Sequence, residues 1–276
     1  MQFAVGYQYR SSGELFTDMV SDYRENIKEV YFAPPGFASG RPDASQYSTQ
    51  ALEQLIYELK ILRRMNIKLD LLLNGNCYGE HAVSHDFADR INNMLEWFEH
   101  EGLLPEVVTT TSPFAAHIIK NRYREIEIRA SVNMRIDSLT ALEYLADKFD
   151  SFYLRRDLQR DLETVKLFSE WSKTYGKKLC LLANSGCLRN CPYQTFHDNL
   201  VAHDSQLRKQ KNVKEDLANF AVSVDAVEEA SGLDFFPALN KADEIKIESS
   251  CDYSAWERLL PKKSKKKNTS SKRSKK

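Results

Sequence analysis

The residues with the most evident chemistry lie in Leu179-Cys180-Leu181-Leu182-Ala183-Asn184-Ser185-Gly186-Cys187-Leu188-Arg189-Asn190-Cys191-Pro192-Tyr193-Gln194-Thr195-Phe196-His197. An apolar run long enough for a buried strand breaks at Asn-Ser-Gly into a loop that carries Cys187 and Cys191. Two thiols on one short loop can turn onto a common metal centre. Thiolates suit zinc or an iron–sulfur cluster, because both favour sulfur over oxygen. Cys251 follows the last strand candidate, Ile245 to Glu248, and Cys77 follows another, Ile67 to Leu73. The candidate ligand set is therefore Cys187, Cys191, Cys251 and Cys77. Cys180 lies inside its strand, roughly 13 Å deeper than Asn184 at about 3.3 Å per residue. It reads first as a small apolar filler and is held as a reserve ligand. His197 reads as a fourth ligand, an acid–base group or a structural histidine. His81 and His85 are four apart but lack the His-Glu-x-x-His arrangement of zinc peptidases. Radical-SAM chemistry is excluded at the motif level, since Gln194 stands where a third cysteine would be needed.

These groups need elements to position them. Apolar strand candidates at 2–6, 29–33, 67–73, 107–111, 127–132, 151–154 and 178–183 alternate with helix candidates at 11–26, 48–65, 86–101, 114–122, 139–148 and 158–175. Phe235-Phe236 and 244–248 add one or two late strands. At least seven alternations with short connections predict a parallel sheet with helical crossovers. No glycine-rich phosphate loop follows the first strand, which disfavours a doubly wound open sheet. The fold class is α/β, a single (β/α) TIM-barrel-like domain over residues 1–260 with a disordered basic tail at 261–276. In such a barrel the loops after the strands share one face. That places Arg41, Asn74, Asn133, Asn184 and His197 as candidate substrate-binding residues. Arg155 and Arg156 follow a strand as well.

Composition bounds the remaining possibilities. An apolar fraction of 42%, with 14 Phe and 13 Tyr, is ample for a core of this size. Formal charge is zero, but nine Lys/Arg fall in 261–276 without an acid, so 30 basic residues face 39 acidic ones in the rest. Five cysteines and no visible export signal predict reduced thiols in a cytoplasmic protein, with no membrane span. The Lys-rich tail has no apolar residue to bury. It reads as a solubilising appendage or as a sequence-independent grip on nucleic-acid phosphates.

Val30-Tyr31-Phe32, Gly40-Arg41 and Leu71-Leu72-Leu73-Asn74 together resemble the opening of the peptidase U32 family. Ser131-Val132-Asn133 and Leu182-Ala183-Asn184-Ser185-Gly186-Cys187 resemble its middle and its cysteine-bearing strand end. Ile245-Lys246-Ile247-Glu248 resembles its closing Lys-Ile-Glu-Gly-Arg segment, although Ser249-Ser250-Cys251 follows here in place of Gly-Arg. The resemblance implies a TIM-barrel-like fold. It also implies a [4Fe–4S] cluster on cysteines and oxygen-independent hydroxylation, or a related modification, of RNA or a small aromatic substrate. A partner would be RNA or a second U32-like subunit. Two alternatives stand beside this: a non-catalytic scaffold or partner subunit with a structural zinc, and a U32-type peptidase. No serine elbow, paired catalytic carboxylate or zinc-peptidase motif supports the peptidase, and no catalytic residue is assigned. Removing 261–276 should leave the melting temperature within about one or two degrees, because surface changes away from packed features cost little. Thermal unfolding of a chain ending at Leu260 checks this, and a large drop would show that the tail docks on the acidic body.

Overall fold

A computed structural model describes residues 2–10, 13–41, 48–183, 192, 194–209 and 246–248, with backbone alone at 200, 204–209 and 246–248. Seven strands follow one another as parallel neighbours: β1 (Phe3–Gly6), β2 (Ile27–Phe32), β3 (Lys68–Leu73), β4 (Val107–Thr110), β5 (Glu127–Ala130), β6 (Ser151–Tyr153) and β7 (Lys178–Leu182). The helices between them are α1 (Phe16–Asp22), α2 (Thr49–Arg64), α3 (His85–His100), α4 (Pro113–Arg122), α5 (Leu139–Leu145) and α6 (Leu162–Thr174). After β7 comes α7 (Gln194–Lys209), and β8 (Lys246–Glu248) closes the barrel by pairing with both β7 and β1.

The predicted α/β barrel is therefore present, with one difference in its last strand. β8 runs antiparallel to both neighbours, with Lys246 opposite Leu182 and Glu248 opposite Cys180. Alternating Ile-Lys-Ile-Glu specifies a strand but carries no signal of direction. The strand candidate at Phe235-Phe236 and the 261–276 tail lie outside the described residues.

Local chemistry explains where the helices begin. Ser48, Ser84, Ser112 and Ser138 each accept a hydrogen bond from the amide three residues on, at Ala51, Phe87, Ala115 and Ala141. Each such cap is worth about 1 kcal/mol. Asp161 does the same for Glu163 and Thr164, which is why the helix candidate at 158–175 is split into a 3-10 turn at Leu158–Arg160 and α6. The candidate at 11–26 shrinks to α1, whose preceding residue Leu15 offers no side-chain cap.

Strand parity divides the interior in two. Val30, Phe32, Leu69, Leu71, Leu73, Val108, Ile128, Phe152, Leu179 and Leu181 belong to one large core with the buried faces of the helices, including Leu55, Leu59, Ile91 and Phe168. The alternate positions face into the barrel. There Ala4, Tyr31 and Leu72 form one small cluster, and Val132, Tyr153, Cys180 and Leu182 another.

Below these clusters the lumen is ionic. Arg129 of β5, fully buried, reaches Glu29 of β2 with two parallel bonds, Nη1 to Oε1 at 2.6 Å and Nη2 to Oε2 at 3.0 Å. β3 and β4 stand between those strands in the sheet, so the pair crosses the lumen. Nη1 also lies 3.4 Å from Asp70 Oδ2, Nη2 donates to Glu127 Oε1 at 3.0 Å, and Nε donates to Ser151 Oγ at 3.2 Å. Asp70 in turn accepts from the Thr109 hydroxyl and amide. Burial opposes the Arg129 charge, but Glu29 and the other lumen groups hold it protonated well above the usual arginine range.

Burial likewise pushes the Glu127 carboxyl up, but Arg129 and the bonds from Lys178 and Ser151 outweigh it and hold it at about 2. A carboxyl depressed on folding adds stability above its ordinary value, and that stability is lost as pH falls toward the depressed one. Glu127→Gln should therefore cost on the order of 2 kcal/mol at neutral pH. The gap from wild type should close as pH falls from the ordinary glutamate range toward about 2. Urea unfolding across pH reads this directly, and a gap independent of pH would contradict it.

Candidate substrate pocket at the barrel mouth

The loops after β2, β3, β5 and β6 meet over the C-terminal ends of the strands and build one polar rim. Asn74, the residue after β3, is 8% exposed and organises it. Its Oδ1 accepts from Ser39 Oγ at 2.9 Å and from the Gly40 amide at 2.8 Å, which folds the loop after β2 inward. Asn133 sits in the 3-10 turn Val132–Met134 after β5, capped by Ser131, and its Nδ2 donates to the Asn74 carbonyl at 3.2 Å. Arg156, after β6, donates from Nη2 to Asn133 Oδ1 at 3.0 Å. Arg41 donates from Nη1 to the Tyr31 hydroxyl at 3.1 Å, with its guanidinium 5.0 Å from the centroid of that ring.

Glycines make these approaches possible. A Cβ at Gly6, the last residue of β1, would stand 2.7 Å from both Arg41 Nη1 and Tyr31 Cε2. One at Gly40 would come within 3.0 Å of Asn133 Nδ2, and one at Gly75 within 2.8 Å of Ala38 Cβ. The resulting cleft encloses about 390 Å³, counted out to open solvent. Leu72, Val132 and Leu182 contribute apolar surface, and Tyr31 and Tyr153 contribute aromatic surface. Thr109 lines the cleft while bonding Asp70, which connects the pocket to the ionic lumen.

Arg41, Asn74 and Asn133 are thus brought together, as residues following different strands of one barrel should be. His197 lies on α7, half-buried, and is not among the residues lining the cleft. Asn184, Cys187, Cys191 and Cys251 lie outside the described residues. Cys77 is a free, half-buried thiol in the loop after β3, and its Sγ accepts from the Gly79 amide at 3.4 Å. Cys180 is a fully buried thiol packed with Val132, Tyr153 and Leu182 inside the barrel, the position of a filler. The expectation that the last strand points toward the mouth is corrected by β8. Its C-terminal residue Glu248 lies level with Cys180, and Lys246 is the residue level with Leu182 at the mouth.

Two aromatic pocket residues escaped the sequence reading. Tyr31 and Tyr153 sit inside apolar strands and were indistinguishable there from outer-core residues. Arg156 stands beside Arg155, and only the structure separates them. Arg155 is held by Asp157 and Asp137, whereas Arg156 lines the cleft. The parity shared by Glu29 and Tyr31 is the signal that could have found the first of them.

α7 is fastened near this rim. Asp198 accepts from Asn76 Nδ2 and from Arg135 Nη2, each at 3.1 Å, and Arg135 also donates to Thr195 Oγ1 at 2.6 Å. Among the described residues, no three His, Cys, Asp or Glu side chains converge as a metal site. Nor is any helix among them long and apolar enough to cross a membrane.

This architecture has known counterparts. The U32 peptidase Mk0906 matches with a TM-score of 0.58 and 14% identity, over 74% of this chain and 76% of that one. The chain shares the fold of a U32 peptidase. The uncharacterized protease MJ1657 of Methanocaldococcus jannaschii is 24% identical over 176 residues, 63% of this chain. The match covers 50% of that protein, so the chain spans about half the length of its curated relative. No protein-family model matches the chain. The motifs that resemble the U32 family map onto this U32-like barrel as β2, β3, β7, β8 and the turn after β5.

Gly6→Ala should cost about 1–3 kcal/mol, the usual penalty of overpacking, and should displace Arg41 from Tyr31. Denaturant unfolding measures the loss. Unchanged stability would mean that Gly6 does not hold this approach open.

Proposed function

We propose that the chain is a U32-type enzyme that seats its substrate in the barrel mouth and modifies it with a metal centre at the rim. The observation behind this reading is the chemistry of the cleft. Its lining offers guanidinium, amide and hydroxyl groups but no carboxylate, imidazole or thiol among the described residues. Such a lining can hold and orient a polar substrate. On this reading the reactive group is a metal held by thiols, of which Cys77 is the described one on a loop.

Cys77 fits such a role, being free and half-exposed with an amide donor on its sulfur. Its neighbour Asn76 bonds Asp198 of α7, which ties this corner to the helix that begins three residues after Cys191. We assign Cys187, Cys191 and Cys77 as ligands and leave Cys180 as packing; Cys251, the fourth candidate from the sequence, follows a strand that runs away from the mouth. Bound there, a [4Fe–4S] cluster would supply the electron chemistry for oxygen-independent hydroxylation, or a related modification, of RNA or a small aromatic molecule. Asn74, Asn133, Arg41 and Arg156 would orient the substrate. Were the substrate RNA, the Lys-rich 261–276 segment would add a phosphate grip. A structural zinc in a scaffold or partner subunit is the competing use of the same thiols. A peptidase is favoured by the names of the two similar proteins, and no carboxylate, imidazole or thiol among the described lining residues supports it.

Anaerobic purification with iron, sulfide and zinc analysis tests the assignment, since an iron–sulfur protein is coloured and a zinc protein is not. Cys187→Ser and Cys191→Ser should each lose most of the metal, because serine is a harder and poorer ligand. Cys180→Ser should keep it. Full metal content in the first two variants would sink the metal reading, and zinc without iron would turn it to the scaffold.

A further inference from the structure

Resting on the mouth as the substrate site, we infer that its ligand carries an oxyanion, a carboxylate or a phosphate, clasped between Arg41 and Arg156. The half-buried and buried arginines elsewhere among the described residues have carboxylate partners: Arg10 with Glu14, Arg63 with Glu106, Arg129 with Glu29, Arg135 with Asp198 and Arg155 with Asp157. Arg41 and Arg156 are half-buried too, and neither has a carboxylate partner among those residues. Both line the same cleft. Arg41 spends one nitrogen on a neutral phenol, and Arg156 spends one on a neutral amide. Arg156 Nη1 is buried with no hydrogen-bond partner among the described residues. Withdrawing guanidinium groups from water without a counter-charge is costly, and the cost is recovered when an anion supplies the missing acceptors.

The geometry favours a small organic ligand. A planar guanidinium presents parallel donors that match the two oxygens of a carboxylate or phosphate. Asn74 and Asn133 connect the two arginine-bearing loops through neutral groups, and among the described residues lining the cleft none is a carboxylate. Leu72, Val132, Leu182 and the rings of Tyr31 and Tyr153 suit an apolar or aromatic body behind the anion.

Calorimetric titration of the full chain with benzoate, phenyl phosphate and neutral benzamide tests this, with iron content measured on every sample. At least one anion should bind saturably and at least about tenfold more tightly than benzamide, as charge-assisted bonds require. The tighter of the two identifies the oxyanion as carboxylate or phosphate. R41Q and R156Q should each weaken that anion by about tenfold or more while thermal unfolding shows a folded protein, and R156K should fall between. Raising salt should weaken the anions and leave benzamide unchanged. Equal binding of benzamide and both anions, binding of neither anion, or wild-type affinity in folded R156Q and R41Q would overturn the inference. Cys187→Ser should keep anion binding whatever its iron content, so a failure of the metal reading and a failure of the oxyanion site are separately visible.

Discussion

The bidentate pair between Arg129 and Glu29 is the contact on which the barrel interior depends. A guanidinium at the centre of a lumen is tolerated only when its donors are met, and removing one partner of such a group typically costs several kcal/mol. Here Glu29, Asp70, Glu127 and Ser151, from four different strands, meet them. Slipping any one of those strands by a single residue would turn its charged group outward into the apolar layer under the helices. The ionic lumen therefore sets which parity of each strand faces inward, and with it the register of the sheet.

That choice of parity also builds the pocket. Moving two residues along each strand from the ionic layer leads from Glu29 to Tyr31, from Asp70 to Leu72, from Arg129 to Ser131 and from Ser151 to Tyr153, all of them lining residues of the mouth. Thr109 belongs to both levels, bonded to Asp70 below and facing the cleft above. The rim then needs only a few loop residues. Asn74 acts as their hub because its side-chain oxygen accepts from both Ser39 and Gly40, and its main-chain carbonyl accepts from Asn133. The mouth and the lumen differ in one respect: the deep arginine is met by carboxylates, and the two half-buried arginines of the mouth have none among the described residues.

The cysteines divide along the same line between interior and rim. Cys180 has inward parity and is enclosed by Tyr153, Val132 and Leu182, which makes it part of the packing. Cys77 stands on a loop whose neighbour Asn76 is tied to α7, the helix that follows Cys187 and Cys191 in the sequence. β8 was read as delivering Cys251 to the same rim, and its antiparallel course turns the strand the other way. Of the thiols assigned as ligands, Cys77 is the one whose surroundings are visible, and they suit a ligand.

The amino-acid sequence by itself determined the alternation of strands and helices, the serine caps that start four of the helices, and the loops that carry Arg41, Asn74 and Asn133. These follow from interactions within a few residues: apolar periodicity, a hydroxyl three positions from an amide, a breaker after a buried run. Only the tertiary structure decided that Arg129 pairs with Glu29, a hundred residues away, that Tyr31 and Tyr153 face the lumen, and that β8 is reversed. It also decided that Arg156, unlike Arg155, lacks a carboxylate among the described residues. For Arg129, the two tyrosines and β8 the deciding neighbours lie on other strands, and closure of the barrel brings them together.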